Sequence, residues 1–410
     1  MKKASKLMVC LLGLAISIHV KSQGSFVNQV TPTYKALKGI SFTNASIGYA
    51  CGDSGIILKT INSGNNWIKL VSPTVNNLWD IKVIPYSNGT KLIAVGDNNT
   101  VIKSIDGGVS WTFQSIPFQV GSFVFGIQCL DSLKYVACGG DYKTFSGAIL
   151  KTTDGGLTWT STPVPGSGFL DKIYMLNETT GYTVGSNLNF TDGVIQRITN
   201  GTNLNIRKQS PTLITNIWCK NEREITAIGL NGQIWESSDS GNTWVDRSVN
   251  VGNLFGIQFV NPQVGVICGG SNEGSEILYT KNGGINWNKI HFPFVGAFQT
   301  VNIIDGAIYL AGDEGIIIKG LVSALPVGIS EMNQKEQLSI YPNPTTDYLT
   351  IDIAMNSNTE FNIYTTQGNL VMNGVFKSNK LEVAGLSTGL YVICIKDKNG
   401  NIQFSKFIKN

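Results

Sequence analysis

The sequence is poor in charge and in the side chains that most often perform catalysis. Only 14% of its 410 residues are charged, and two are histidines. Disordered chains need high net charge and low hydrophobicity, whereas long amphipathic helices need Ala, Glu, Lys, Leu and Arg in bulk. Neither composition is present, so we expect a folded chain without long helices.

Histidine and paired cysteines are too scarce for several kinds of site. His19 lies in an N-terminal apolar segment, which leaves His291 as the one histidine for a Ser/His/Asp triad. No two cysteines have the Cys-x-x-Cys spacing that is typical of zinc and redox sites. We therefore expect no metal site and no cofactor.

The excess of positive charge is confined to the N-terminal segment. The formal net charge of +4 is accounted for by Lys2, Lys3, Lys6 and Lys21, so the rest of the chain is balanced. A balanced chain argues against nucleic acid or an anionic surface as a partner. The apolar run at residues 7–20 is shorter than the ~20 residues that span a bilayer. Residues 1–22 are predicted to be an export signal, and no membrane span is expected.

One phrase recurs along the chain: an apolar strand, a turn with Asp or Asn followed by Gly, and a Trp. Its copies are KTINSGNNW (59–67), KSIDGGVSW (103–111), KTTDGGLTW (151–159), ESSDSGNTW (236–244) and YTKNGGINW (279–287), and a sixth, RITNGTNLN (197–205), has lost the Trp. Successive copies are 39 to 48 residues apart. A glycine ending an apolar strand recurs at the same period, at Gly52, Gly96, Gly139, Gly185, Gly229, Gly269 and Gly312.

Seven units of about 44 residues, each with four short strands, have the size of β-propeller blades. The predicted fold is all-β: a seven-bladed β-propeller over residues 23–320, with six or eight blades as the alternatives. The seventh unit stops at Lys319 without its fourth strand. Residues 24–30 could supply that strand, close the ring and remove an open sheet edge.

The recurring turn resembles the Asp-box of sialidases, sortilin-type receptors and propellers similar to the photosystem II assembly-factor family. The resemblance implies a structural hairpin, in which Asp accepts backbone hydrogen bonds, Gly takes positive φ and Trp covers the turn. The residues assigned to it are Asp106, Trp111, Asp154, Trp159, Asp239, Trp244, Trp67 and Trp287. The assembly role of that family is not carried over, because the basic patch we would look for is absent.

Most cysteines lie at repeat positions where other units carry aliphatic or aromatic residues, which is typical of small apolar core residues. An exported chain permits disulfides. Cys129 and Cys138 are the one pair for which we consider a disulfide.

The last part of the chain differs in pattern from the repeats. Residues 321–337 are predicted to be a linker, and residues 338–410 a small antiparallel β-sandwich with short strands between NG, QG and TG turns. The segments YPNPTTD (341–347), LSTGLY (386–391) and KFIK (406–409) resemble the type A C-terminal sorting domain of the type IX secretion system. The resemblance implies the secretion machinery as a partner and export through the periplasm to the cell surface or medium. An ordinary adhesive sandwich is the alternative.

Two enzyme classes come into question for a propeller of this kind. Sialidases use three arginines from different blades, but the four arginines here, Arg197, Arg207, Arg223 and Arg247, fall within two adjacent blades. A sialidase is therefore excluded. A glycosidase that uses two carboxylates stays open as the alternative function, with Asp80, Asp171 and Glu273 available.

The favoured function is non-catalytic binding of a glycan or protein by a monomeric propeller. The first strand of each blade lines the channel. The turn residues entering it are Lys38, Trp79, Phe125, Asp171, Thr215, Phe255 and Gln299, and those inside it are Ser41, Lys82, Gln128, Tyr174, Trp218, Gln258 and Asn302. From these we select the ligand-binding candidates Trp79, Phe125, Asp171, Tyr174, Trp218 and Phe255. Packing between blades is the competing interpretation of the aromatic residues, and a structural surface-layer role is the third possibility for the protein.

Overall fold

The computed structural model describes residues 26–410 except 86–89, 118–121, 142, 165–166, 202, 272–273, 293–295, 326–339, 352–358, 366–369, 377 and 397–401. The chain divides into two compact units, Met1–Val327 and Gly328–Asn410. The predicted export signal, most of the predicted linker and Glu273 lie outside the described residues.

The first unit contains seven groups of four antiparallel strands, as the repeats predicted. After β1 (Val27–Gln29), blade one holds β2 (Leu37–Phe42), β3 (Gly48–Gly52), β4 (Ile57–Thr60) and β5 (Ile68–Lys69). Blade two holds β6 (Leu78–Val83), β7 (Leu92–Gly96), β8 (Val101–Ser104) and β9 (Thr112–Phe113). Blade three holds β10 (Phe123–Cys129), β11 (Tyr135–Asp141), β12 (Ser146–Thr152) and β13 (Thr160–Val164).

The later blades follow the same order. Blade four holds β14 (Ser167–Met175), β15 (Gly181–Asn187), β16 (Gly193–Thr199) and β17 (Asn203–Ser210). Blade five holds β18 (Ile214–Cys219), β19 (Ile225–Gly229), β20 (Ile234–Ser237) and β21 (Val245–Asp246). Blade six holds β22 (Asn253–Phe259), β23 (Gly265–Ser271), β24 (Gly274–Thr280) and β25 (Asn288–Phe292), and blade seven holds β26 (Gly296–Ile304), β27 (Ala307–Gly312), β28 (Ile317–Leu321) and β1.

Helical structure within the described residues is limited to single 3₁₀ turns. They are Asp53–Gly55, Leu230–Gly232, Asp313–Gly315 and Val322–Ala324. The first three connect the second and third strands of blades one, five and seven. No helix in the described part of the chain is long and apolar enough to cross a membrane.

The N-terminal strand completes the last blade, as predicted. Val27 to Gln29 of β1 pair antiparallel with Lys319 to Ile317 of β28. Phe26 is 4% exposed and packs edge-on against Phe292, with 5.9 Å between ring centroids. The two ends of the propeller sequence therefore share one sheet, and this pairing holds the ring closed.

Apolar side chains between neighbouring blades form the core. Phe42 of blade one stacks on Tyr309 of blade seven at 4.0 Å between ring centroids. Packing also continues slightly beyond the expected end of the propeller. β28 runs to Leu321, Leu325 is buried, and its carbonyl accepts a hydrogen bond from Lys281 Nζ at 3.0 Å.

The cysteines lie in these apolar layers, and the considered disulfide is excluded by strand register. Cys129 pairs with Tyr135 across the β10–β11 ladder, whereas Cys138 pairs with Gly126. Neighbouring strand residues face opposite sides of a sheet, and the two thiols pack into different core clusters. Burial raises the pKa of the Cys129 thiol to about 12, so it is an unreactive core group.

The second unit contains two antiparallel sheets, in keeping with the predicted β-sandwich. The first is formed by β29 (Ile340–Tyr341), β30 (Tyr348–Ile351) and β33 (Lys380–Glu382). The second has the order β32 (Leu370–Val375), β31 (Glu360–Thr365), β34 (Gly389–Lys396) and β35 (Ile402–Lys409). Leu349, Phe361, Ile393 and Phe407 are among the buried residues of their common core.

Two of the tail motifs meet in space, although the hydrogen-bonded residues Asn343 and Ile408 are 65 positions apart in the sequence. Asn343 Oδ1 accepts a hydrogen bond from the Ile408 amide at 2.9 Å, and the Thr345 amide donates to the Ile408 carbonyl at 2.8 Å. The Asn410 amide returns a bond to the Thr345 carbonyl at 2.9 Å. The YPNPTTD segment and the C-terminal strand therefore form one surface of the tail.

Candidate functional site at the central channel

The first strands of the seven blades form a closed ring, since each contacts the next and β26 contacts β2. They surround a channel cavity of about 340 Å³. The inner strands begin at one end, which we call the mouth. The Asp and Asn hairpins join the third and fourth strands at the opposite end.

Every inner strand has a β-bulge near the mouth, at the same position of the repeat. The register skips one residue in each blade: Lys38, Trp79, Phe125, Asp171, Thr215, Phe255 and Gln299. These are the seven residues that the sequence placed in turns entering the strand. They are instead bulge residues within the strand, because a bulge inserts one unpaired residue without ending the ladder. All seven are half-buried.

The ring inside the channel divides into residues that join blades and residues that remain unpaired. Gln128 accepts from the Met175 amide at 2.6 Å and donates to its carbonyl at 2.9 Å. Gln258 makes the equivalent pair of bonds with Ile303, and Ser41 accepts from the Val83 amide at 3.1 Å. These polar side chains hydrogen-bond the next blade, a structural role that the sequence did not indicate for them.

Three members of the same ring make no such bond. Tyr174, Trp218 and Asn302 line the cavity, and their side chains have no hydrogen-bond partner among the residues that the structure describes. Tyr174 packs edge-on against Trp218, with 5.1 Å between ring centroids. Burial raises the pKa of the Tyr174 hydroxyl to about 12, so it stays protonated and able to donate.

An ion cluster lies in the channel wall. The Asp80 carboxylate is 2.8 Å from Lys82 Nζ and 3.5 Å from Lys172 Nζ. Burial alone would raise the pKa of Asp80, but the ammonium groups of Lys172 and Lys82 outweigh burial and lower it. Asp80 is therefore an ionised, paired carboxylate, and the cluster carries one excess positive charge.

Asp171 has the opposite environment. It sits in the bulge ring beside Lys172, and its carboxylate has no hydrogen-bond or ion-pair partner in the described parts of the chain. Burial raises the pKa of Asp171 to about 7, and Lys172 opposes this only in part. The residue as a whole is half-buried.

Six aromatic side chains of blades two, three and four form one cluster at the mouth. We call Trp79, Phe123, Phe125, Phe145, Phe169 and Phe190 the mouth aromatic cluster. Consecutive ring centroids lie 4.9 to 6.5 Å apart. Phe145 and Phe190 are 47% and 38% exposed at the tips of the β11–β12 and β15–β16 hairpins. Both tips have positive φ, 51° and 57°, which is uncommon for a bulky residue and concentrates at functional sites.

The cluster depends on close backbone approach at one glycine. A Cβ at Gly140 would lie 2.0 Å from Phe169 Cδ1. Trp79 is held in place by a hydrogen bond from its Nε1 to Asp97 and by Lys38 Nζ, 4.0 Å from its ring centroid. These contacts fix the buried side of the cluster and leave the two hairpin tips to solvent.

Sequence reasoning located part of this cluster and missed the rest. Trp79 and Phe125 were among the predicted candidates. Phe123, Phe145, Phe169 and Phe190 were not. Two of them carry a signal in retrospect, since Phe123 and Phe169 each lie two residues before a bulge residue. Tyr174 and Trp218 lie deeper in the channel. Phe255 lies in the bulge ring on blade six.

The histidine and the arginines considered for catalysis lie away from the channel cavity. His291 is on the outer strand β25, with Nδ1 3.7 Å from Glu276 Oε1. Arg197 pairs with Glu222 at 2.9 Å, Arg247 with Glu236 at 3.5 Å, and Arg207 donates to Asn242 at 3.1 Å. None of the four arginines lines the cavity.

The Asp and Asn hairpins face away from the mouth and bind their own backbone. Asp106 accepts from the Ser110 amide at 2.9 Å and from the Ser104 hydroxyl at 2.8 Å. Hydrogen bonds from the Ser110 hydroxyl and amide are the main reason that the pKa of Asp106 is lowered to about 2. Lys59 Nζ of the preceding blade donates to the Gly107 carbonyl at 3.0 Å. This geometry supports a structural role; the Asp-box assignment stays a prediction.

Comparison with protein families agrees with both units. Residues 19–191 match the family described as photosynthesis system II assembly factor YCF48, and residues 339–410 match the secretion system C-terminal sorting domain. The propeller resembles the YCF48 family. The tail is of the type IX sorting type, which implies the secretion machinery as a partner and export to the cell surface or medium. No curated protein matches the chain.

Solved structures show the same fold at low identity. "YCF48 bound to D1 peptide" is 16% identical with a TM-score of 0.59, over 73% of this chain and 98% of that one. YCF48 from Cyanidioschyzon merolae is 14% identical with a TM-score of 0.57, over 73% and 100%. The WD40 propeller domain of Doa1 is 10% identical with a TM-score of 0.55, over 72% and 95%. At these identities the likeness to YCF48 and Doa1 concerns the fold.

Proposed function

We propose that this protein is an exported, non-catalytic binding module whose propeller holds a glycan or protein ligand at the channel mouth. The observation that carries the proposal is the mouth aromatic cluster, with two phenylalanines raised on hairpin tips. Exposed aromatic residues next to a pocket commonly mark interaction sites. The domain division into residues 1–22, 23–320, 321–337 and 338–410, with an export signal and a periplasmic route, belongs to the same proposal.

The relatives favour binding over catalysis. YCF48 is described as an assembly factor, and one of its solved structures carries a peptide. The assembly role itself is not proposed for this chain, because its channel mouth is aromatic and none of the four arginines lines the channel cavity. A protein segment with an apolar side chain and a glycan with an apolar sugar face both suit the cluster.

Hydrolysis remains the second candidate because of one observation. Asp171 is unpaired and protonated near neutral pH, as a general acid in a glycosidase must be. The second carboxylate is the difficulty, since Asp80 is neutralised by two lysines and Glu273 is outside the described residues.

The test is binding by the full exported chain, residues 23–410, on a glycan array and a peptide array, with hydrolysis followed on the same glycans. The double variant Phe145→Ala/Phe190→Ala should lose binding by about tenfold or more, because two exposed rings leave the site. Phe113→Ala is the matched control, since Phe113 is 57% exposed on an outer strand of blade two. Equal binding by the double variant and the control would place the ligand elsewhere, and turnover that needs Asp171 would establish the hydrolase.

A further inference from the structure

We propose that the interior of the channel is a second binding site, separate from the mouth aromatic cluster, and that it takes a sugar acid. The site consists of the ammonium groups of Lys82 and Lys172 together with the free donors of Tyr174 and Trp218. It goes beyond the proposed function, which concerns the mouth and leaves the channel interior without a ligand.

The charge of the cavity selects an anion. Among the described residues that line it, only Asp80, Lys82 and Lys172 are charged, so its wall carries one excess positive charge. Asp171 lies outside this lining, in the bulge ring at the mouth. Within the described part of the chain, Lys172 Nζ makes only long contacts, 3.5 Å to Asp80 and 3.4 Å to the Phe125 carbonyl. A ligand carboxylate between the two ammonium groups would balance the charge and gain charge-assisted hydrogen bonds.

The unpaired donors of Tyr174 and Trp218 favour a ligand that also carries acceptors, such as hydroxyl groups or a ring oxygen. At the same repeat position, Gln128 and Gln258 hydrogen-bond the next blade. The Tyr174 hydroxyl and the Trp218 indole N–H have no acceptor among the described residues, so both can donate to a ligand. The edges and faces of the two aromatic rings also offer apolar surface to the C–H groups of a sugar.

Size and charge exclude several other ligands. A cavity of about 340 Å³ lies at the small end of ligand pockets, which suits a compact solute and excludes a folded chain. An amino acid would place its ammonium group beside Lys82 and Lys172, where charge repulsion disfavours it. The Asp80 carboxylate cannot offset this repulsion, because it already pairs with both lysines. A neutral sugar would leave the excess charge unbalanced.

The experiment is calorimetric titration of residues 23–410 with sodium glucuronate, glucose and inorganic phosphate as probes. Glucuronate should bind at least about tenfold more tightly than glucose, because only its carboxylate meets the lysines. Lys172→Met should remove this preference, and Lys172→Arg should restore most of it. Trp218→Phe should weaken glucuronate severalfold by removing one donor while keeping an aromatic ring.

Three controls make the outcome decisive. Lys69→Met removes a positive charge from the exposed strand β5, and it should leave the preference intact. Tyr182→Phe removes a hydroxyl that bonds the Ser240 carbonyl away from the channel, and it should not change glucuronate binding. Phe145→Ala/Phe190→Ala should likewise bind glucuronate normally, which separates this site from the mouth. Equal affinity for glucuronate and glucose, phosphate binding as tight as glucuronate, or no saturable binding by a folded wild type would each overturn the proposal.

Discussion

At the scale of single residues, Asp80 and Asp171 adjoin the same channel but have opposite protonation behaviour. Asp80 is held ionised by two ammonium groups, whereas burial without a partner keeps Asp171 protonated up to a pH of about 7. The difference arises from neighbours, since burial alone disfavours the charged form of both. The paired carboxylate of Asp80 is part of the channel wall. The carboxyl group of Asp171 has no partner among the described residues and is available to a ligand.

Asp171→Asn should therefore stabilise the protein in a pH-dependent way. Folding raises the pKa of Asp171 from 3.8 to about 7, so the folded state binds more protons between these values and wild-type stability falls as pH rises. The gain of Asp171→Asn in free energy of unfolding should be about 2 kcal/mol larger at pH 8 than at pH 5. Urea unfolding at both pH values measures it. The same gain at both pH values would mean that Asp171 is solvated.

At the scale of elements, the repeat explains both the strength of the ring and its point of closure. Inside the channel, side chains such as Gln128 join neighbouring blades. At the end opposite the mouth, lysines such as Lys59 and Lys319 donate to the hairpin turn of another blade. Blade seven lacks its own fourth strand, so three residues of β1 complete the sheet. Three residue pairs between β1 and β28 therefore close the ring.

Phe26→Ala should weaken the pairing of β1 with β28 that closes the ring. Phe26 is buried against Phe292, so its truncation should lower the free energy of unfolding by about 3 kcal/mol. The amides of residues 27–29 should also exchange faster, as measured by hydrogen exchange with mass spectrometry. Phe113→Ala, at an exposed position of another outer strand, should have little effect on either quantity. Unchanged exchange at residues 27–29 would show that β1 is held by other contacts.

At the scale of the whole molecule, the chain joins a β-propeller to a sorting tail. The two units have separate cores, and the sorting motifs at residues 341–347 and 406–409 come together only when the tail folds. Phe407 is fully buried and stacks on Tyr391 at 5.5 Å between ring centroids. Delivery should therefore depend on a folded tail as well as on its sequence.

Removal of residues 338–410 should leave a folded propeller in the periplasm. Phe407→Ala should reduce surface display in proportion to tail unfolding, because a buried ring of the tail core is lost. Leu390→Ala, at an exposed position of the same unit, should be displayed like the wild type. Cell fractionation with immunoblotting measures all three. Normal display without the tail would contradict its sorting role.

The sequence by itself determined the repeat, the seven blades, the closing strand and the sorting tail, because these depend on local period and turn chemistry. Only the tertiary structure decided which channel residues hydrogen-bond the next blade and which do not. Gln128 and Tyr174 occupy the same repeat position, yet one bonds the next blade and the other has a free hydroxyl. The sequence predicted only Trp79 and Phe125 of the mouth aromatic cluster, since the other four rings come from strands and loops that meet only in the folded ring. Residues that are distant in the chain become one site only when the ring closes.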